Sequence, residues 1–224
     1  MDKFFIIANR QKDKELKTAR KVEAYLNSKG KSCILREETS EQKARSNHYT
    51  DVEKIPKDVE CIIVIGGDGT LLQAARDVVN RQIPLLGINM GTLGYLAEID
   101  RSSIDGALNH LMLDEYTIEK RMMLNGKVYH KEELIAEDVA LNDIVIGRDG
   151  PLHVTRFHNY VNGEFLNSYT ADGIIIATAT GSTGYSLSAG GPIVSPETNI
   201  LIMTPVAPHT LNTRSVIFQI GRAH

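Results

Sequence analysis

Two short stretches carry residue types and spacings able to do chemistry. The first, Val64-Ile-Gly-Gly-Asp-Gly-Thr-Leu-Leu72, sets an aspartate among glycines where an apolar run hands over to a helical pattern. Glycines let backbone N–H groups approach a ligand closely, and a helix N-terminus adds partial positive charge, so phosphate is the natural guest. The loop is no P-loop, because it lacks the G-x-x-x-x-G-K-[ST] pattern and its lysine. Nor is it the usual dinucleotide fingerprint, because Leu72 stands where a third glycine would. A carboxylate among phosphate donors repels the guest, so Asp68 must serve otherwise, by accepting a proton from an attacking hydroxyl, holding a ribose hydroxyl, or holding Mg2+. The plainer alternative is a helix cap or Asx turn, which aspartates often make at such junctions.

The second stretch runs from Asp172-Gly173 through an apolar strand pattern into Thr178-Ala-Thr-Gly-Ser-Thr-Gly-Tyr-Ser-Leu-Ser188 and on to Pro192. Its small hydroxyl donors, exposed amides and the flat ring of Tyr185 suit a nucleotide. Clusters of Ser, Thr and Gly are also ordinary loops.

Certain elements must position these stretches. Phe4–Ala8 reads as a buried strand, and Lys14–Lys29 as a helix with Leu16, Ala19, Val22 and Leu26 inward and Gly30 beyond its end. Ser32–Arg36 reads as a strand, while Glu37–Asp58 is polar and without apolar period, predicting a mobile surface loop with no site residues. Cys61–Ile65 and Pro84–Ile88 are continuous apolar runs of the kind buried on both faces of a parallel sheet. The helix between them presents Leu71, Leu72, Ala75, Val78 and Val79, and a further helix spans Ser102–Asp114. Beyond Tyr116 the texture is β, with an Asn162-Gly163 hairpin turn. The pattern predicts an α/β domain with a parallel sheet over 1–115 and a β-rich, sandwich-like domain over 116–224.

Composition narrows the classes. The 224 residues are 42 % hydrophobic and 24 % charged, and 25 Lys and Arg against 28 Asp and Glu give −3, which argues against a general nucleic-acid face. No stretch approaches the ~18 apolar residues of a membrane span, and Phe4–Ala8 is too short for a signal-peptide core. Cys33 and Cys61 read as reduced, buried thiols, and the cytoplasm is the expected location.

Four segments together resemble the NAD kinase family: Gly66-Gly67-Asp68-Gly69-Thr70, Ala140-Leu141-Asn142-Asp143, Asp172 through Pro192, and Pro208-His209-Thr210-Leu211-Asn212-Thr213-Arg214. They fall in the family's order across most of the chain. The glycine motif is shared with diacylglycerol-type lipid kinases and phosphofructokinases, whereas the Asp172–Pro192 block is specific. The resemblance implies a dinucleotide at the interface of the two domains and phosphoryl transfer to the 2'-hydroxyl of its adenosine ribose, with ATP and Mg2+ as expected donor and cofactor. Inorganic polyphosphate is an alternative donor. By the same resemblance Asp68 accepts the hydroxyl proton, Gly69 lies beside phosphate, and Asn142 and Asp143 hold the adenosine end. Thr183, Gly184, Tyr185, Ser186, Leu187 and Ser188 line the dinucleotide, Asp172 meets its nicotinamide end, and His153 and Ala207 border it. No protein residue is assigned as a metal ligand, and a homo-oligomer is implied.

Two departures and the ending modify these expectations. Ala179 and Gly184 replace the family's Pro and Ala in its T-P-T-G-S-T-A-Y block, and Gly184 implies weaker dinucleotide binding through ~0.5–1 kcal/mol of lost preorganisation. Family members continue past Arg214 by several tens of residues, and Gln219–His224 reads like a translated sequencing adapter, so the β-rich half is expected to be incomplete. The rival readings are a lipid kinase using the same glycine loop and a dinucleotide-binding fragment without catalysis.

Overall fold

The structure is a computed structural model that describes residues 1–35, 50–91, 94–150, 155–209 and 213–220. His153, Arg36 and most of the polar segment 37–58 lie outside them. Two compact units emerge, Met1–Ile118 and Glu119–His224.

In the first unit, strands β1 (Lys3–Ala8), β2 (Ser32–Leu35), β3 (Cys61–Gly66) and β4 (Leu85–Asn89) form a parallel sheet in the order β2-β1-β3-β4. All six residues of β3 are buried. The alternation of the strands divides its apolar side chains between two cores. Phe4, Ile6, Ile63 and Ile65 pack under α1 (Lys17–Ser28) and α3 (Ile104–Met112), while Phe5, Ile62 and Val64 pack under α2 (Asp68–Asp77). An unbroken apolar run is stable only when both faces are covered in this way. Each fully buried isoleucine contributes about 1.5–3 kcal/mol, so the strand that ends in the glycine loop is the best anchored of the sheet. Of the predicted Lys14–Lys29 helix, α1 takes Lys17–Ser28; Lys14–Leu16 is a separate 3-10 turn with Glu15 and Leu16 at positive φ, and Gly30 takes φ +75° beyond the helix end, as a left-handed terminator does.

Two details differ from the periodicity reading. The inner face of α2 is Leu71, Ala74 and Asp77, not Leu72 and Ala75. The reason is that Asp77, 7 % exposed, is satisfied there by the Thr50 N–H at 2.8 Å and Gln73 Nε2 at 2.8 Å, which a count of apolar residues cannot foresee. Likewise the end of the supposed surface loop is core: Ile55 is buried against α2 and its strand, behind a 3-10 turn at Val52–Lys54. Cys33 and Cys61 are free and buried, and burial pushes both thiols up to about 12, so they stay protonated and unreactive.

In the second unit, β7 (Asp143–Gly147), β10 (Gly173–Thr178), β11 (Ile200–Val206) and β12 (Val216–Gln219) form an antiparallel sheet in the order β12-β11-β10-β7. Two ribbons accompany it, β5 (Leu124–His130) with β6 (Glu133–Ala140), and β8 (Thr155–Val161) with β9 (Glu164–Ala171). The second ribbon turns at Asn162 (φ 51°) and Gly163 (φ 85°), the pair of positive φ angles that a tight hairpin demands. Its Phe157 and Tyr169 pack with Ile174 and Met203. A separate cluster joins Ile175, Ala177, Ile200 and Ile202 to Ala179, Ala189 and Val194. The second cluster seats the Thr178–Ser188 turn, which coils as a 3-10 turn at Thr180–Thr183 followed by the short α4 (Tyr185–Ser188).

Candidate active site

The glycine loop is the turn from β3 into α2, with Gly67 in extended conformation as the N-cap. Asp68 opens the helix but does not cap it. Its carboxylate reaches instead to the segment after β4, where Oδ2 accepts the Tyr95 N–H at 2.8 Å and Oδ1 accepts those of Leu96 and Ala97 at 3.2 and 3.1 Å. Gly94 is required beside it, because a Cβ there would fall on the carboxylate. An ionised carboxylate offers about four acceptor positions; three are filled by protein, and the one left on Oδ2 can take a single further donor. The aspartate therefore fixes a loop and leaves one acceptor position open. Sequence reading missed this partner, since nothing in Tyr95-Leu96-Ala97 marks it as a carboxylate cradle. Gly69, next in the chain, is exposed.

In the second unit, the turn between β6 and β7 meets the Thr178–Ser188 turn. The Asn142 carbonyl accepts the Thr178 N–H at 2.8 Å, and Thr178 Oγ1 donates to the Leu141 carbonyl at 2.6 Å while accepting the Gly181 N–H at 3.0 Å. A Cβ on Gly181 would fall on the Asn142 backbone oxygen. Replacing Gly181 by Ala is thus expected to force the two turns apart at a cost of about 1–3 kcal/mol, to be read as a lowered Tm; an unchanged Tm would show that the contact is soft.

This contact brings Asn142, Asp143, Gly184 and Tyr185 together. Burial raises the Asp143 carboxyl, with the Tyr185 N–H opposing that effect. Asn142 Oδ1 is buried and has no hydrogen-bond partner among the described residues. Such an orphaned acceptor costs free energy until a donor arrives. The Tyr185 ring is exposed beside it, as is Leu187. A Cβ on Gly184 would lie 3.3 Å from the Gly181 carbonyl oxygen, 3.4 Å from Asn142 Nδ2 and 3.5 Å from Asp143 Oδ2. Alanine therefore fits after a shift of a few tenths of an ångström, and Gly184→Ala is expected to tighten dinucleotide binding by about 2- to 5-fold through preorganisation; calorimetry showing weaker binding would mean that the methyl group blocks the ligand.

The other expected residues divide. Ser186 is fully buried, its hydroxyl bonded to Thr204 Oγ1 at 2.9 Å, which bonds Ser215 Oγ at 3.0 Å, so that hydroxyl belongs to the core of the turn. Thr183 is partly buried and Ser188 exposed. Asp172 stands at the far end of β10, where Gly173 pairs with Gly147 while Ala177 pairs with Asp143; five residues at ~3.3 Å each put about 17 Å between the two ends. There Asp172 faces Arg148 Nη2 at 3.6 Å and His209 Nε2 at 3.8 Å. Ala207 lies near, exposed and at φ 44°, a left-handed backbone that costs an alanine about 1–3 kcal/mol. His209 belonged to a segment already singled out, whereas Arg148 carried no signal.

Comparison with known proteins identifies the family. Residues 4–116 match the ATP-NAD kinase N-terminal domain and residues 141–222 the ATP-NAD kinase C-terminal domain. An NAD kinase of Lachnospira eligens is 50 % identical over 97 % of this chain and 74 % of its own length, and one of Lachnoclostridium phytofermentans is 47 % identical over 97 % and 75 %. Yeast NADH kinase, solved with NADH, superposes with a TM-score of 0.83 at 29 % identity, over 98 % of this chain and 70 % of that one. An Archaeoglobus fulgidus NAD kinase shares the fold at a TM-score of 0.72 and 23 % identity. With both domain models matched and relatives aligned over 97 % of its length, this chain belongs to the ATP-NAD kinase family.

Proposed function

We propose that the chain transfers the terminal phosphoryl group of ATP to the 2'-hydroxyl of the adenosine ribose of NAD, giving NADP and ADP. The observation that carries this reading is the Asp68 carboxylate, fixed by three backbone N–H groups yet with one acceptor position left, at the mouth of a glycine loop and a helix N-terminus. In the reaction the ribose oxygen forms the new bond to phosphorus as the bond to the bridging oxygen of ADP breaks, and Asp68 takes the hydroxyl proton. Phosphoryl transfer asks the protein for placement and charge stabilisation more than for covalent chemistry, which suits a loop that offers backbone amides. Gly69 is the residue at which phosphate passes closest to the main chain.

The dinucleotide is held by the second unit. Asn142 Oδ1 receives the exocyclic amine of adenine, Asp143 holds ribose hydroxyls, and Tyr185 supplies a flat face, with Thr183, Gly184, Leu187 and Ser188 around them and Ser186 acting through its main chain. Asp172, Ala207 and His153 border the nicotinamide end. The roughly 17 Å between the ends of β10 suits an extended dinucleotide. The yeast relative solved with NADH supports a pyridine dinucleotide as guest. The division of labour falls near residue 115, phosphoryl transfer before it and dinucleotide binding after.

The divalent ion, Mg2+, would arrive with ATP and neutralise charge on its phosphates. Exposed Val128, Tyr129, Leu134 and Ile135 on the β5–β6 ribbon favour a homo-oligomer, and no described helix is long and apolar enough to cross a membrane; action in the cytoplasm completes the reading. A lipid kinase has no use for the Asn142–Tyr185 constellation. The test is NADP formation from NAD with ATP and Mg2+, beside inorganic polyphosphate and diacylglycerol as alternative donor and acceptor. Binding of NAD without turnover would leave a dinucleotide module only.

A further inference from the structure

The glycine loop has no lysine of its own, yet the fold delivers one to it. β1 and β3 are neighbours in the sheet, so the segments that leave them run side by side. The first, Asn9–Asp13, is tied down at both ends. The Asn9 N–H donates to the Ile65 carbonyl at 2.8 Å, Asn9 Nδ2 donates to Thr70 Oγ1 at 3.2 Å in the first turn of α2, and Asn9 Oδ1 accepts the N–H groups of Gln11 and Lys12 at 3.0 and 3.3 Å. Asp13, 2 % exposed, accepts the Thr18 and Ala19 N–H groups at 3.0 and 2.9 Å and so caps α1. Between these anchors Lys12 projects onto the glycine loop. A Cβ placed on Gly67 would fall on the Lys12 ammonium, with Lys12 Cε 3.7 Å and Cδ 4.0 Å away.

This arrangement is electrostatically incomplete. A cation at a helix N-terminus meets the positive end of the macrodipole, and Lys12 has no carboxylate partner among the described residues. An anion between the ammonium and the backbone amides would satisfy both. We propose that Lys12 is the cation of the phosphoryl-donor site: its ammonium binds a non-bridging oxygen of the ATP triphosphate at Gly66–Thr70, supplying the charge that P-loops draw from a lysine within their own motif. The proposal rests on the kinase reading above and adds a residue to it. Gly67 leaves the room that the side chain crosses, and the Asn9–Thr70 bond holds the two loops in register.

The test uses the full chain with Lys12→Met and Lys12→Arg. Calorimetric titration with ATP and Mg2+ is run beside titration with NAD, thermal unfolding of the unliganded protein and initial rates of NADP formation. Lys12→Met should weaken ATP binding at least about 10-fold, the worth of one charge-assisted contact. NAD affinity should stay within about twofold and Tm should not fall, since a repulsion is removed from the unliganded protein. Lys12→Arg should recover most of the ATP affinity. Unchanged ATP affinity in Lys12→Met, equal losses for ATP and NAD, a lowered Tm, or no ATP binding by the wild type would each overturn the proposal. ATP binding that depends on Lys12 without any NADP formation would uphold it and bring down the kinase reading instead.

Discussion

Replacing Asp68 by Asn is expected to reduce NADP formation by about 10²- to 10⁴-fold, the range that a positioned proton acceptor supplies. The structure adds a second consequence. Asn offers one acceptor oxygen where the carboxylate serves three N–H groups through both of its oxygens, and its amide nitrogen cannot accept from the donors that remain. At least one backbone N–H of Tyr95–Ala97 loses its partner, at a cost of about 1–3 kcal/mol, so Tm should fall with kcat. NAD affinity separates the two effects, because the groups assigned to the dinucleotide lie in the other unit. Calorimetry should find NAD binding by Asp68→Asn near that of the wild type; binding lost in parallel with turnover would show that the variant had merely disordered the site. Asp68→Glu is no rescue, since the longer side chain must enter a cradle where Gly94 already abuts the carboxylate.

The second large effect concerns Asp143, where stability and function pull in opposite directions. Burial raises this carboxyl above its ordinary value. The folded protein therefore holds the proton more tightly than the unfolded chain, whose aspartates titrate near about 3.9. Stability due to this group is full below that pH and is lost as the pH rises through the higher folded value. At neutral pH the ionised carboxylate is a net cost to the fold. Asp143→Asn removes that cost and keeps an acceptor for the Tyr185 N–H, so Tm at neutral pH should rise. If Asp143 holds the ribose hydroxyls as proposed, the same change deprives them of a charged acceptor and should weaken NAD binding by roughly 10-fold or more. In the wild type, NAD affinity should decline on acidification earlier than an ordinary aspartate would dictate. A variant that is less stable and binds NAD as before would remove both the burial argument and the ribose assignment.

Much of this was legible in the residues, for identifiable reasons. Unbroken apolar strands such as Cys61–Ile65 announce a parallel sheet because few other structures bury both faces of a strand, and Asn162-Gly163 announces a hairpin because few residue pairs tolerate its φ angles. The glycine loop and the Thr178–Ser188 segment were visible as turns because small residues permit tight backbone paths. What stayed hidden depends on distant pairing. No local pattern joins Asp68 to Tyr95–Ala97, Asp77 to Thr50, or Asp172 to Arg148, since each pair meets only after the sheet has assembled. Ser186 was legible as a member of the Thr178–Ser188 turn, but its place in a buried hydroxyl chain depended on Thr204 and Ser215, on other segments.

The two sulfhydryls offer a practical handle. Both are interior and held far from their ionisation range at neutral pH, so alkylating dyes should pass them by in the native protein. A cysteine introduced at the exposed position of Leu187 would then be the single site of labelling without any prior removal of the native pair. A fluorophore attached there would test in real time whether dinucleotide binds beside the Thr178–Ser188 turn.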